Sequence, residues 1–337
     1  MNSYERVMKV LRGELPDRVP CIPIVRDWVS RQAGYNLTDV IDNTQKYVYS
    51  QFYCSNVVGY DSVSDLNAVN AEAEAMGCVL QDGGISIKRH IVEDYSTDIE
   101  KIGIVDPSKA GRLPVIVEGV RRLRELCGGE KVVVAYLQAP FRLAAMLRGV
   151  ERFLKDCLQK RETVLQLLEI VTSSQIVYGT ALGHAGADLI EVSDPMSSGD
   201  IVVRKQYREL GFSYSRRLIQ HLKLSGVKVI HHACGNTTDR LDMFRDLGAD
   251  VLSLDQAVSL GEARRILGDD IILFGNVDPL VLLNGTPSDV KNLSKECIEK
   301  AGRRGSFILS SGCLISADTP FDNVRAMAET AAEYRYT

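Results

Sequence analysis

The sequence of 337 residues lacks the features that are typical of membrane proteins, secreted proteins and nucleic-acid-binding proteins. No apolar run approaches the roughly 20 residues that a membrane-spanning helix needs. The N-terminal stretch MNSYERVMKVLRGE is an amphipathic helical pattern with charges throughout, without the apolar segment of a signal peptide. Lysine and arginine are scattered among acidic residues at a net charge of −4, so a basic nucleic-acid-binding stripe is also absent. We therefore expect a cytoplasmic protein that binds neither membranes nor nucleic acid.

A disulfide framework is missing as well, although the chain has eight cysteines. They are spread over positions 21, 54, 78, 127, 157, 234, 297 and 313, without the close spacings of disulfide-rich secreted domains. This distribution favours free thiols and leaves room for a metal site. Cys127, Cys157 and Cys297 lie in helical patterns and are interpreted as packing residues, since a free cysteine behaves as a small hydrophobe.

The chain does contain a recurring unit, a short β-branched run followed by an amphipathic helix. Strands alternating with helices imply parallel pairing, and eight of them close economically into an α/β fold, the (β/α)8 or TIM barrel. We expect one such domain over residues 1–337, although an open doubly wound sheet is the alternative because the early strands are unevenly spaced. The predicted strands are Arg18–Val25, Asp61–Leu66, Val132–Leu137, Ala187–Val192, Val227–His232, Asp250–Leu254, Ile271–Phe274 and Ser306–Ser310.

Other local patterns predict helices and barrel decorations. The stretch from about Thr38 to Phe52 and a hairpin-like stretch at 79–96 are interpreted as N-terminal helical and hairpin additions to the barrel. A helix from Pro287 to about Ala301 is predicted, because Thr286 can cap it and proline suits the first helical position. Thr237 or Thr238 can cap a further helix that runs through Leu247.

Polar and metal-binding residues gather after the later predicted strands. The active site of a (β/α)8 barrel lies at the C-terminal ends of its strands, so these residues are expected on one rim. They are Ser193-Asp194-Pro195, His232-Ala233-Cys234-Gly235-Asn236, Asp255, Asn276-Val277-Asp278-Pro279 and Ser311-Gly312-Cys313.

A zinc site is the strongest candidate among these residues. His232 and Cys234 are two apart, so an extended strand places them on one face, and Cys313 follows a strand end across the same mouth. Two thiolates and an imidazole suit zinc, and three protein ligands leave a coordination position open. The spacing alone is a weak signal, and three simply buried side chains are the alternative. His231 is expected to point away from the site, towards the helices.

Asp194 is the predicted catalytic carboxylate, as a resting zinc ligand or a proton relay. Glu191 competes for this role, since alternation puts only one of the two on the inner face. For Asp194, Asp255 and Asp278 the simpler interpretation is that they cap helices or bind loop amides.

Ordered matches along nearly the full chain resemble the uroporphyrinogen decarboxylase superfamily, and in it the branch of methylcobalamin:coenzyme M methyltransferases and related corrinoid methyltransferases. The resemblance implies a barrel with zinc on a HxC pair and a distant cysteine, matched here by His232, Cys234 and Cys313. The matching segments include RVMKVLRGELPDRVP at 6–20, QAPFRLAAMLRG at 138–149, HHACGNTTDRL at 231–241, FGNVDPLVLLNGTP at 274–287 and SSGCLISADTPFDNVRAM at 310–327.

The resemblance also implies an activity, methyl transfer between a corrinoid and a zinc-activated thiol such as coenzyme M. The cobalamin would be carried by a separate small corrinoid protein. The sequence leaves the oligomeric state open, with a homodimer through uncovered barrel helices as one option. The alternative is an O-demethylase that passes a methyl group from a methyl ether to cob(I)alamin.

Decarboxylase activity fits the sequence less well at two places. Decarboxylases carry a GHG-type segment on the eighth strand, where this chain has Gly312-Cys313-Leu314. They also bind substrate carboxylates with arginines of an RQAGRY-like segment. Arg31-Gln32-Ala33-Gly34 is similar to that segment, but Tyr35-Asn36 follows in place of the second arginine.

Overall fold

Seven parallel strands form a curled sheet in the computed structural model, which describes residues 1–65, 70–81, 86–302 and 305–336. Two short strands, β2 and β3, pair antiparallel as a separate hairpin. The order in the large sheet is β1-β4-β5-β6-β7-β8-β9, so neighbours in space are also successive along the chain. The strands are β1 (Ser62–Ser64), β2 (Val79–Gln81), β3 (Ser86–Arg89), β4 (Val132–Gln138), β5 (Leu189–Ser193), β6 (Lys228–Ala233), β7 (Val251–Leu254), β8 (Ile272–Val277) and β9 (Phe307–Ser311).

Helices follow the sheet strands and form the outer layer of the described structure. Short 3-10 turns at Ile99–Lys101, Pro195–Ser197 and Thr238–Arg240 join some of them. The helices are α1 (Ser3–Leu11), α2 (Asp27–Gln32), α3 (Leu37–Val40), α4 (Thr44–Val58), α5 (Ala71–Ala75), α6 (Tyr95–Asp98), α7 (Leu113–Cys127), α8 (Pro140–Arg148), α9 (Val150–Gln159), α10 (Arg161–His184), α11 (Arg204–Leu210), α12 (Phe212–Leu224), α13 (Leu241–Arg245), α14 (Leu260–Leu267), α15 (Pro279–Asn284), α16 (Pro287–Ala301) and α17 (Phe321–Glu333).

The prediction of a first strand at Arg18–Val25 is wrong. This segment forms a single parallel bridge, between Cys21 and Leu309, and no regular strand. Pro20 and Pro23 have no N–H to donate, and the Cys21 N–H donates to the Asp61 carboxylate at 2.8 Å, so a regular ladder is blocked.

The same segment nevertheless closes the barrel. The Ile22 N–H donates to the Leu309 carbonyl at 2.9 Å on one side, and the Asp61 N–H donates to the Cys21 carbonyl at 2.8 Å on the other. The two edges of the seven-stranded sheet are thus joined, which excludes the open doubly wound alternative. The other seven predicted strands are confirmed with small shifts of their ends, and Leu66, the predicted end of one, lies outside the described residues.

Two apolar clusters show where the core lies. One fills the space between the sheet and the outer helices, and the other fills the barrel interior. The interior cluster also contains Val7, Val10 and Leu11 of α1, and the Tyr4 N–H donates to the Glu130 carbonyl just before β4. Helix α1 therefore covers the N-terminal end of the barrel, and a ligand has access from the opposite end.

The smaller predictions have mixed outcomes. Helix α16 begins as expected, since Thr286 and Asp289 form a reciprocal capping box. Thr237 makes no capping hydrogen bond, and a 3-10 turn precedes the short helix α13. The predicted hairpin is present as β2 and β3, and its residues 82–85 lie outside the described residues. Cys127, Cys157 and Cys297 are buried free thiols on helices, as predicted.

A search of the described residues for a helix with the length and apolar character needed to span a bilayer finds none.

Candidate metal centre

The ends of β6 and β9 place three metal-binding side chains together at the mouth of the barrel. On β6, Ile230 belongs to the interior cluster, so alternation puts His232 and then Cys234 on the same inner face. Cys313 lies two residues beyond the end of β9. One ligand atom from each of these three residues lies within 4.8 Å of the other two.

The distances fit a tetrahedral zinc ion. The His232 Nε2 atom lies 3.2 Å from the Cys234 Sγ atom, and the Cys234 and Cys313 Sγ atoms are 3.8 Å apart. Two sulfurs bound to one zinc at about 2.3 Å, with a tetrahedral angle between them, are separated by about 3.8 Å. A disulfide needs an S–S distance of about 2.05 Å, so the two cysteines are free thiols held at ligand spacing.

A neighbouring side chain orients the histidine. The His232 Nδ1 atom lies 2.8 Å from the Ser253 Oγ atom, and Ser253 is the residue paired with His232 on β7. This contact directs Nε2 towards the two sulfurs. Hydrogen bonding of the second ring nitrogen is the usual support for a histidine that binds a metal.

The thiols already favour one negative charge between them. The hydrogen bond from Cys234, together with nearby His232, lowers the pKa of Cys313 to about 4. The same contact with Cys313, with burial, raises the pKa of Cys234. A cation that replaces the remaining proton would satisfy both sulfurs, because thiols bind metals as thiolates.

Asp194, the predicted catalytic carboxylate, is not brought together with these ligands. It lies one residue beyond β5, on the face opposite to Leu189 and Glu191, and is fully buried. Its Oδ2 atom accepts a hydrogen bond from the Tyr207 hydroxyl at 2.6 Å, in the layer between the sheet and the helices. Burial raises the pKa of Asp194 to about 6.

Of the two competing carboxylates, Glu191 is the one that lies on the inner face of β5. Its Oε1 atom accepts a hydrogen bond at 2.7 Å from Arg26, and the side chains of both residues are about nine-tenths buried. The Arg26 guanidinium also lies over the ring of Tyr136, 4.0 Å from its centroid. These side chains line a small cavity inside the barrel, together with Ile230 of β6.

Two further buried acids lie close to this cavity. Asp65 accepts a hydrogen bond from the Tyr136 N–H at 2.9 Å, and Glu72 accepts one from the Gln138 N–H at 2.7 Å. Both carboxylates therefore bind the edge of β4 where the short strand β1 has ended. Burial raises the pKa of Asp65 to about 8 and that of Glu72 to about 7.

The remaining candidates have structural contacts. His231 points towards the helices, where its ring packs edge-on against Phe244 at 4.9 Å between centroids. Asp278 caps α15 by accepting the Leu280 N–H. Asp255 accepts the N–H of Ala257, two residues on, although it also lies near enough to Cys234 to contribute to the raised pKa of that thiol.

Sequence reasoning missed Arg26, Tyr136 and Asp65. Arg26 directly follows the predicted first strand, so the rule that polar residues after strands reach the rim would have found it. Tyr136 follows Val132 and Val134 at alternate positions in a strand, and this pattern predicts a core residue. Asp65 lies inside the predicted strand Asp61–Leu66, and no periodic pattern marks it as a site residue.

A closed parallel barrel with a histidine and two cysteines at its C-terminal mouth defines the class, an α/β barrel with a candidate metal site. Comparison with known proteins specifies the family. The family described as "Uroporphyrinogen decarboxylase (URO-D)" matches residues 2–334, and the chain belongs to it.

Relatives within this family have different activities. The methylcobamide:CoM methyltransferase MtbA of Methanosarcina acetivorans is 28% identical over 98% of each chain. The uroporphyrinogen decarboxylase of Syntrophotalea carbinolica is 31% identical, but over 69% of this chain and 68% of its own. A solved structure described as a methyltransferase from Methanosarcina mazei superposes with a TM-score of 0.88, at 26% identity and 99% coverage of each chain.

Proposed function

We propose that this protein is a zinc-dependent methyltransferase that moves a methyl group from a corrinoid to a thiol. The observation that carries the proposal is the set of His232, Cys234 and Cys313, whose ligand atoms lie at the spacing of a tetrahedral zinc site. Full-length similarity to methylcobamide:CoM methyltransferases supports the corrinoid as methyl donor and the thiol as acceptor. The opposite direction, from a methyl ether to a corrinoid, has no comparable support.

Zinc bound to these three residues would activate a thiol as a thiolate at neutral pH. The two cysteines and His232 are the protein ligands, and Ser253 keeps the histidine ring in the required orientation. In the overall reaction the sulfur–carbon bond forms, the cobalt–carbon bond breaks, and its electron pair stays on cobalt as cob(I)alamin. The proton of the thiol is released.

The open side of the barrel is the side on which a corrinoid would approach. Helix α1 and the interior cluster fill the opposite end, so both the thiol and the methyl donor must enter at the mouth. We propose that a separate small corrinoid protein presents the methyl group there, because the reacting atoms must come within about 3.5 Å of each other.

Decarboxylation of a porphyrinogen is disfavoured by the position of the arginines. Arg31, in the segment that is similar to the decarboxylase motif, has a side chain that is 62% exposed and pairs with exposed Asp318. It does not line the cavity inside the barrel. Among the described residues that line this cavity, Arg26 is the single cation, which is poor compensation for a substrate with many carboxylates.

The test measures zinc and turnover on the same preparations. Purified protein should hold about one zinc per chain and should demethylate methylcobalamin in the presence of a small thiol, followed by the absorbance of cob(I)alamin. Cys234→Ala and Cys313→Ala should lose zinc and turnover while the unfolding transition stays close to that of the parent.

Cys157→Ala is the matched control, since Cys157 is also a buried free thiol but lies on helix α9. It should keep both zinc and turnover. Retention of zinc and activity by both Cys234→Ala and Cys313→Ala would refute the ligand assignment. Failure of the zinc-loaded parent to demethylate methylcobalamin with any thiol would refute the activity.

A further inference from the structure

We propose that Arg26 determines substrate specificity by binding a negatively charged group, a sulfonate or carboxylate, at the non-reacting end of the thiol. The inference rests on the proposed function, because it describes how the same site would select among thiols. It assigns a role to a residue outside the zinc ligands.

The position of Arg26 is the first argument. It lines a cavity inside the barrel, and Ile230 lines the same cavity. Ile230 precedes His232 by two residues on the inner face of β6, and Arg26 is close enough to His232 and Cys313 for its charge to act on both. A thiol bound through its sulfur at the metal ligands would therefore extend its other end past Arg26.

The contacts of Arg26 are the second argument. The guanidinium donates to Glu191 at 2.7 Å and stacks on Tyr136 at 4.0 Å, so its orientation is fixed. Although burial opposes its charge, Glu191 and, more weakly, Tyr136, Asp65 and Cys313 raise the pKa of Arg26. Arg26 therefore stays a cation, and the charge of Cys313 is near enough to influence it.

The backbone is the third argument. Arg26 has φ +30° and ψ −106°, and it is the non-glycine residue with positive φ in the described structure. Such a conformation is rare outside glycine and persists where surrounding structure or function requires it. Here it turns the first residue after the closing segment back over the cavity mouth.

The charged groups around Arg26 balance one another before a thiol binds. Arg26 and Glu191 balance each other, and Asp65 is largely uncharged at neutral pH because burial raises its pKa to about 8. Two thiolates balance a zinc ion. Arg26 is the single cation among the described residues that line the cavity, so an anionic group on the thiol would bind there in exchange for part of the contact with Glu191.

The test compares two thiols of similar size, 2-mercaptoethanesulfonate and 2-mercaptoethanol, with methylcobalamin as donor. For Arg26→Gln we expect kcat/KM for the anionic thiol to fall by about 10- to 100-fold, as for loss of a hydrogen bond to a charged group. The value for the neutral thiol should change by less than about 3-fold. Arg26→Lys keeps the charge but lacks the planar guanidinium, so its kcat/KM for the anionic thiol should lie between those of the parent and of Arg26→Gln.

Arg31→Gln is the matched control, since it removes an exposed arginine from the neighbouring helix α2. It should leave the ratio between the thiols unchanged. Glu191→Gln should increase the preference for the anionic thiol, because Arg26 then loses its counter-ion. A binding measurement with ethanesulfonate, which has the charged end but no thiol, gives a readout independent of turnover, and Arg26→Gln should weaken its binding.

The outcomes separate this inference from the proposed function. If Arg26→Gln lowers kcat/KM for both thiols equally, Arg26 acts on the sulfur and not on the distant charge, and the inference is wrong while the methyltransferase stands. If the folded, zinc-loaded parent transfers methyl to no thiol and yet binds ethanesulfonate through Arg26, the proposed function fails and the anion site stands.

Discussion

At the N-terminal end of the barrel, Asp61 is completely buried and accepts hydrogen bonds from Arg6, Arg18 and the Cys21 amide at 2.8–3.0 Å. At the C-terminal end, the Sγ atoms of Cys234 and Cys313 are part-buried, and their contacts in the described part of the chain include each other and His232. Both ends therefore contain polar groups in a protein interior. At the first end a buried carboxylate is bound by two arginines and an amide, whereas at the second end two thiols lie at the spacing of metal ligands.

The difference indicates that the N-terminal end of the barrel contributes mainly to stability and the C-terminal end mainly to function. The Asp61 network holds the irregular closing segment against β1, where two prolines prevent a regular strand. The mouth carries a positive φ at Arg26 and a pair of thiols whose Sγ atoms lie 3.8 Å apart. Unsatisfied ligands and backbone strain are typical of binding sites, and the closed end supports them.

The largest stability effect is expected from Asp61→Ala. It removes the buried carboxylate that Arg6, Arg18 and the Cys21 amide share, and loss of one partner of a buried ion pair costs about 3–5 kcal/mol. Urea unfolding should detect this loss, and the folded fraction should keep its zinc content. A change below about 1 kcal/mol would show that the closing segment does not depend on this network.

A smaller effect at the mouth is expected from Ser253→Ala. The hydrogen bond to His232 Nδ1 would be lost, and loss of such a supporting contact lowers metal affinity by about 10- to 100-fold. Competition with a zinc chelator measures the affinity. The free energy of unfolding of the metal-free protein should stay within about 1 kcal/mol, which distinguishes this variant from Asp61→Ala.

The buried acids next to the mouth predict a dependence of stability on pH. Because burial raises the pKa of Asp65 to about 8 and that of Glu72 to about 7, the protonated forms are favoured on folding. Their stabilisation is complete below the unfolded pKa near 4 and is lost as the pH rises towards 7 and 8. The decline is at most about 1.4 kcal/mol per pH unit for each group.

Urea titrations of the metal-free protein between pH 5 and 8.5 measure this decline. Asp65→Asn and Glu72→Gln should each flatten it, since an amide does not titrate. An equal slope in the parent and in both variants would mean that other groups cause the pH dependence.

The smallest effect is expected at the exposed edge of the closed end. Asp17 pairs with Arg6 at 2.7 Å, but the Asp17 side chain is 41% exposed. Solvent screens such a pair, so Asp17→Ala should cost about 1 kcal/mol or less by urea unfolding. A loss as large as that of Asp61→Ala would mean that the two carboxylates act as one network.

Most of the architecture was predictable because it depends on local pattern. Seven strands follow from β-branched runs, and helix α16 follows from Thr286-Pro287. The first strand was not predictable, since its prolines and the Asp61 contact decide its hydrogen bonds, and that contact spans 40 residues of chain.

The candidate site divides in the same way. Alternation on β6 is a local property, so the sequence by itself determined that His232 and Cys234 share a face and that His231 faces away. Which strand ends meet across the mouth, and so the 3.8 Å between Cys234 and Cys313, depends on barrel closure. The choice of Glu191 over Asp194 for the inner face, and the turn that brings Arg26 over the cavity, were likewise decided only by tertiary structure. Strand register and long-range hydrogen bonds determine the position of Glu191 and the turn at Arg26. Such register and contacts leave no periodic signal in the sequence.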